Sequence, residues 1–132
     1  MKFIEYKTAQ ALKEQGFVLD DNEILAKYDS DGDFYSLIGK VEPKKLKNAI
    51  IAPTTDQVLD WLRKIKHIDT EIIPKSFIRC PSVNLWKTSY VIKIHGDGWS
   101  IFLNNDELDW DNYDLAANAG IKYLVEHQKY LR

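Results

Sequence analysis

The stretch Ile50–Pro74, IIAPTTDQVLDWLRKIKHIDTEIIP, constrains this chain more than any other part of it. Ala49–Ala52 is short and apolar, as a buried strand is. Pro53 blocks an earlier helix start, because its ring crowds the residue before it out of helical geometry. Thr54, Thr55, Asp56 and Gln57 then match a capping box, in which the Thr54 hydroxyl accepts the Gln57 N–H while the Gln57 side chain reaches back. Val58, Leu59, Trp61, Leu62 and Ile65 follow at helical spacing as one apolar stripe. Asp60, Arg63, Lys64 and Lys66 take the opposite side. Asp56 near the start and the basic residues near the end both suit the helix dipole. Thr70–Ile73 is predicted as a strand ended by Pro74. A strand, a helix and a second strand with so little slack admit a parallel pair, connected right-handed.

The flanking sequence supplies further elements. Thr8–Gly16 is expected to be a helix, with Thr8 as its cap and Gly16 in the left-handed position that follows a last turn. Phe17, Val18 and Leu19 then pack back toward the core. Glu23–Tyr28 and Asp33–Ile38 have the pattern of a hairpin. A two-residue turn at Asp31 and Gly32 would pair Tyr28 with Tyr35 and Ala26 with Leu37. Gly39–Asn48 is a polar, basic connection. Lys75–Leu85 has no clear period and contains Pro81, so a loop is expected. Trp86–His95 alternates, with Trp86, Thr88, Tyr90, Ile92 and Ile94 on one face. Trp99, Ile101 and Leu103 share a face of the next strand. Turns at Gly96-Asp97 and at Asp97-Gly98 are both open, and either leaves the same side chains on the same face. Asn104–Asp109 reads as an acidic loop. A last helix runs from about Asp111 to His127, capped by Asp111 or Asn112. Leu115, Ala116, Ala119, Tyr123 and Leu124 form its buried stripe, and Gly120 marks a close approach to the sheet.

Together these elements predict an α+β fold: a two-layer domain spanning 1–132, with a mostly antiparallel sheet and about three helices packed on one face. The chain has 132 residues, 45% of them hydrophobic and 29% charged, and it needs no disulfide or metal to bury a core. The net charge of −2 lacks the basic excess of a sequence-blind nucleic-acid binder. One cysteine excludes an internal disulfide and suits a reducing compartment, so a cytoplasmic location is expected. Glu5 and Lys7 interrupt the N-terminal apolar run, unlike a signal peptide. No apolar run approaches the ~18 residues of a membrane span.

Candidate chemistry is sparse, and each candidate has a structural reading beside it. Asp29, Asp31 and Asp33 match the start of an EF-hand loop, but Phe34 stands where that loop needs Gly and Lys40 where it needs Glu; a hairpin turn explains the same residues. Cys80 beside Arg79 is a thiol that His67, His95 or His127 would have to activate, and no pattern links them. Gly96, Asp97 and Gly98 precede a strand, not the helix a phosphate loop requires. His67 near the end of its helix meets the dipole favourably. No cofactor or metal is expected. Asp106, Glu107 and Asp109 form an acidic patch, continued by Asp111 and Asp114. Lys44, Lys45 and Lys47, with Lys40, form a basic one that lacks interleaved aromatics for base stacking. Trp110, inside the acidic loop, is the residue most suggestive of an external contact, since exposed Trp marks interfaces.

The run Ala52-Pro53-Thr54 followed by Gln57 and Trp61-Leu62-Arg63, then Ile72-Ile73-Pro74, resembles a pattern in small proteins of phages and prophages from gut Bacteroidetes. Tyr90 in the aromatic strand and Ala116 to Ala119, Gly120 and Ile121 in the last helix fit the same pattern. The resemblance covers about Ile50–Leu124. It implies an accessory protein of a mobile element inside a bacterial cell and carries over no catalytic or binding residue. The aromatic content, the separated acidic and basic patches and the absence of a catalytic constellation make the expected function non-enzymatic binding of a protein partner or of a second copy. The alternative is a nucleic-acid-associated module, and a third reading is an enzyme using Cys80 or the acidic cluster.

Overall fold

A computed structural model describes residues 2–37, 48–80, 85–103 and 112–131, with the backbone alone over 75–80 and 85–89. The sequence pattern becomes three helices and six strands: α1 (Tyr6–Glu14), β1 (Ala26–Tyr28), β2 (Phe34–Ser36), β3 (Ile50–Ile51), α2 (Thr55–Ile65), β4 (Asp69–Cys80), β5 (Leu85–Gly96), β6 (Trp99–Leu103) and α3 (Tyr113–Glu126). The strands form two three-stranded sheets, ordered β2-β1-β3 and β4-β5-β6. Every pairing between these strands is antiparallel. The fold is α+β. The parallel pair expected around α2 does not form: β3 joins β1, while β4 joins β5 in the other sheet.

The junction from β3 into α2 is built as the sequence predicts. Thr54 Oγ1 accepts the Gln57 N–H at 3.2 Å, and Gln57 Oε1 accepts the Thr54 N–H at 3.0 Å. Val58, Trp61 and Leu62 are buried, but Ile65, expected on the same stripe, is 62% exposed because the last turn runs past the edge of the core. Beyond the helix His67 takes a left-handed φ of 56°. The chain reverses there, and the Ile68 N–H bonds back to the Leu62 carbonyl at 2.9 Å.

At the N-terminus α1 begins at Tyr6, with Glu5 as its cap residue. Thr8 is therefore not the cap. It is buried in the first turn, its hydroxyl donating to Glu5 Oε1 at 3.2 Å. Gly16 follows the helix at φ 88°, the conformation expected of it. The Glu23–Tyr28 strand shortens to β1, because Asp21–Glu23 forms a 3-10 turn.

The first hairpin has a different register from the expected one. Tyr28 pairs with Phe34, Lys27 with Tyr35 and Ala26 with Ser36. The cause is Asp29, whose Oδ1 accepts the N–H groups of both Asp31 and Asp33 at 2.9 Å and stretches the turn to five residues. Because side chains alternate with period two, the shift moves Tyr35 off the face that carries Tyr28. Phe34 takes its place, edge-to-face with Tyr28 at 5.7 Å between ring centroids.

β4 continues through Pro74 to Cys80, where a loop was expected. A residue without an N–H is tolerated there because β4 has a strand neighbour on one side only. The second hairpin resolves to the Asp97-Gly98 turn: Ile94 pairs with Ile101 and Gly96 with Trp99. The Trp99 indole lies so close over Gly96 that a Cβ there would come within 2.1 Å of it.

α3 is capped by Asn112, whose Oδ1 accepts the Leu115 N–H at 2.9 Å. It packs on the sheet face formed by Thr70, Ile92 and Ile94. A Cβ on Gly120 would sit 3.2 Å from the Ile92 methyl, which is the close approach the glycine permits. Ala116, Ile121 and Leu124 are buried. Leu115, expected in the same stripe, is 44% exposed; Ala117 and Val125 are buried instead. One cluster of buried side chains runs from Ile4 and Leu12 through Val58, Leu62 and Ile68 to Ile92, Ile94 and Leu124.

Replacing Thr54 by Ala removes the side-chain half of the capping box, and urea unfolding should show a loss of about 1 kcal/mol. His67→Gly should move the opposite way, raising stability by about 0.5–1 kcal/mol, because glycine relieves a left-handed backbone without losing a buried contact.

Candidate functional site

An open groove of about 850 Å³ lies where the segment after α1, the outer side of α2, the start of β4 and the start of α3 converge. Phe17 anchors the first wall from inside. It is buried and meets the Trp61 ring edge-to-face at 5.2 Å. The next residue, Val18, turns outward and is 70% exposed, while Leu19 lines the groove but packs back against the core. That departs from the expectation that Phe17, Val18 and Leu19 all pack inward. Only alternate side chains of an extended segment can face one way.

Gln57 holds this wall against α2. Its amide Nε2 donates to the Glu23 carbonyl at 2.7 Å, while its Oε1 completes the capping box. One side chain therefore caps a helix and positions the Asp21–Glu23 turn beside it. Trp61, Ile65 and Tyr113 also line it, Trp61 buried and Tyr113 44% exposed. At the inner end the Thr70 hydroxyl is buried with no hydrogen-bond partner among the described residues. An unsatisfied hydroxyl of this kind costs about 1–3 kcal/mol.

The charge of the groove is uneven. Asp20, Glu23, Asp56, Asp60 and Asp69 line it, with Arg63 and Lys64 as its cations. Both cations are already engaged: Arg63 Nη2 lies 2.8 Å and Lys64 Nζ 2.9 Å from the Asp60 carboxylate. Hydrogen bonds from Lys64 and then Arg63 hold the Asp60 carboxyl below its ordinary value of 3.8. The other four carboxylates form no ion pair among the described residues.

The sequence-predicted sites fall elsewhere. Trp110, Asp106, Glu107 and Asp109 lie outside the described residues, as do Lys44, Lys45 and Lys47. Asp114 is exposed in the first turn of α3. Ligand oxygens of Asp29, Asp31 and Asp33 lie within 4.8 Å of one another, yet Asp29 Oδ1 is spent on the turn. Desolvation and then the Asp29 carboxylate raise the Tyr35 pKa above 10.0, so Asp29 also serves the neighbouring strand.

The three histidines do not converge. His95 Nε2 lies 3.2 Å from Glu71 on the outer face of the β4-β5-β6 sheet. His127 stacks on Tyr123 at 4.1 Å, with its Nδ1 2.9 Å from the Tyr123 carbonyl. His67 is exposed beyond α2. Asp69 pairs with His95 at one end of β4, while Cys80 pairs with Leu85 at the other. At ~3.3 Å per residue the strand separates Cys80 from His95 by roughly 35 Å, too far for proton transfer.

The groove escaped the sequence pattern because its residues come from four separated segments. The available signals were small: acidic residues at Asp20 and Glu23 just after an apolar triplet, and an isoleucine in a last helical turn.

The geometry of Asp60 sets a pH expectation. Its folded pKa is depressed, so the stability it contributes is present above the unfolded value and is lost as pH falls through the folded one. In a carbon-detected NMR titration Asp60 should titrate below 3.8, and Arg63→Gln with Lys64→Gln should return it toward that value. No helix among the described residues is long and apolar enough to cross a membrane. Comparisons with protein-family models, with curated proteins and with solved structures found no match for this chain.

Proposed function

We propose that this chain is a small non-enzymatic protein-binding module whose docking surface is the groove between the Val18–Glu23 segment, α2 and the start of α3. One observation carries the reading: Val18, Ile65 and Tyr113, three of the large apolar side chains most exposed to solvent, gather around a single groove. Isolated exposed apolar residues are ordinary; a concave group of them rimmed by polar residues is the form of an interaction site. The described lining contains no His, Cys or Ser to act as nucleophile or base. It does combine a buried tryptophan, an exposed tyrosine and charged residues, which suits recognition. The resemblance to phage and prophage proteins supports placing the module as an accessory factor of a mobile element, acting inside the bacterial cell.

A nucleic-acid partner is less well supported at this surface, since unpaired carboxylates repel phosphate. That alternative rests on Lys44, Lys45 and Lys47, and salt-dependent binding to DNA or RNA would be its signature.

A photo-crosslinking residue placed at Ile65 should give a discrete protein adduct in the native host, and Val18→Asp should abolish it. Ile65→Asp should weaken binding of the captured partner by at least about ten-fold while changing stability by less than ~1 kcal/mol, as its exposure allows. Adducts arising instead from the exposed Phe102, on the outer face of the sheet, would move the docking surface and sink the proposal.

A further inference from the structure

From the charge arrangement we infer the chemistry of the groove's occupant: a basic amphipathic segment of a protein partner, one that seats an apolar side chain among Val18, Ile65 and Tyr113 and sets its cations against Asp20, Glu23 and Asp56. The inference rests on the docking reading above and adds the partner class to it.

Two features of the groove carry the argument. The first is that its carboxylates, Asp60 apart, make no side-chain hydrogen bond or ion pair among the described residues. Asp20 precedes the Asp21–Glu23 turn but makes no side-chain capping bond. Glu23 contributes its backbone carbonyl, not its carboxylate, to the contact with Gln57. Asp56 sits in the first turn of α2, where its charge suits the helix dipole, but capping there is performed by Thr54 and Gln57. The second is that the cations of the lining are too few to balance these groups, two against five carboxylates. Arg63 and Lys64 are both held by Asp60, one turn further along the same helix.

A walled concavity in which one sign of charge predominates concentrates its field and draws in the opposite sign. Charge alone would also attract a divalent ion or a polyamine. Neither would cover the exposed side chains of Val18 and Ile65, which gain only from an apolar complement. A segment carrying both kinds of side chain satisfies both halves of the groove. An arginine in it has the exposed Tyr113 ring to stack on.

Selection of a random library of short linear peptides against the full-length protein tests this. The enriched pool should be net positive with a recurrent apolar anchor. Binding of its best members should fall at least about ten-fold in the Glu23→Gln, Asp56→Asn double variant, and should weaken as salt rises. Thermal melting of that variant, expected to be near wild type, separates lost recognition from lost folding. A neutral or acidic pool, or binding indifferent to the double variant, overturns the cationic assignment; if Ile65→Asp still abolishes such binding, the groove remains the docking surface. Enrichment that survives Ile65→Asp overturns both. Full displacement of the selected peptides by spermine at equal affinity also overturns the inference, because it would make the groove a site for small cations.

Discussion

The short junction Ala52–Thr55 holds the fold together. Four partners meet there. The Ala52 N–H bonds to the Ala26 carbonyl at 3.0 Å, tying β3 into the first sheet. The Pro53 carbonyl accepts the Ile4 N–H at 2.8 Å, and the Thr55 N–H reaches the Lys2 carbonyl at 3.0 Å, so the N-terminal segment is pinned on the other side. Thr54 starts α2, and the buried Thr55 hydroxyl donates to Asn118 Oδ1 of α3 at 2.9 Å. Backbone groups at a buried junction must find partners, and here they come from β1, the N-terminal segment and α2, with the Thr55 hydroxyl adding α3.

The same junction shapes the groove. Starting α2 at Thr54 aims its first turn at the Asp21–Glu23 segment, and Gln57 closes the gap through its amide. The bond from Thr55 to Asn118 ties the start of α2 to α3, and Tyr113 of α3 lines the groove together with Ile65. Burial of Phe17 under Trp61 fixes the third wall, because with Phe17 inside, Val18 has to face outward. The exposure of these apolar side chains is thus a consequence of how the core is closed.

The departures from the sequence pattern have local causes. One carboxylate, Asp29, lengthens the first hairpin turn and reverses the face of Tyr35; turn chemistry competed with the shorter glycine turn and won. Pro74 reads as a strand terminator only if the strand has neighbours on both sides, and β4 does not. Ile65 obeys helical periodicity but lies in the last turn of α2, whereas Leu115 lies beside the stripe of Ala116, Ala117, Gly120, Ile121, Leu124 and Val125 that α3 buries. Gly120 and the Asp97-Gly98 turn show the converse: sequence restricted them to a close approach or to two registers, and packing against Ile92 and over Gly96 made the choice.

What the sequence by itself determined is the α+β class, the capping box, the positions of α2 and α3 and the inward face of β5 and β6. Those depend on interactions within a few residues and on simple periodicity. Only the tertiary structure decided that the strands divide into two antiparallel sheets, which residues of each apolar stripe are buried, and that residues near 18, 56, 65 and 113 share one groove. Those outcomes depend on side chains distant in sequence competing for the same space, and no local pattern records the result of that competition.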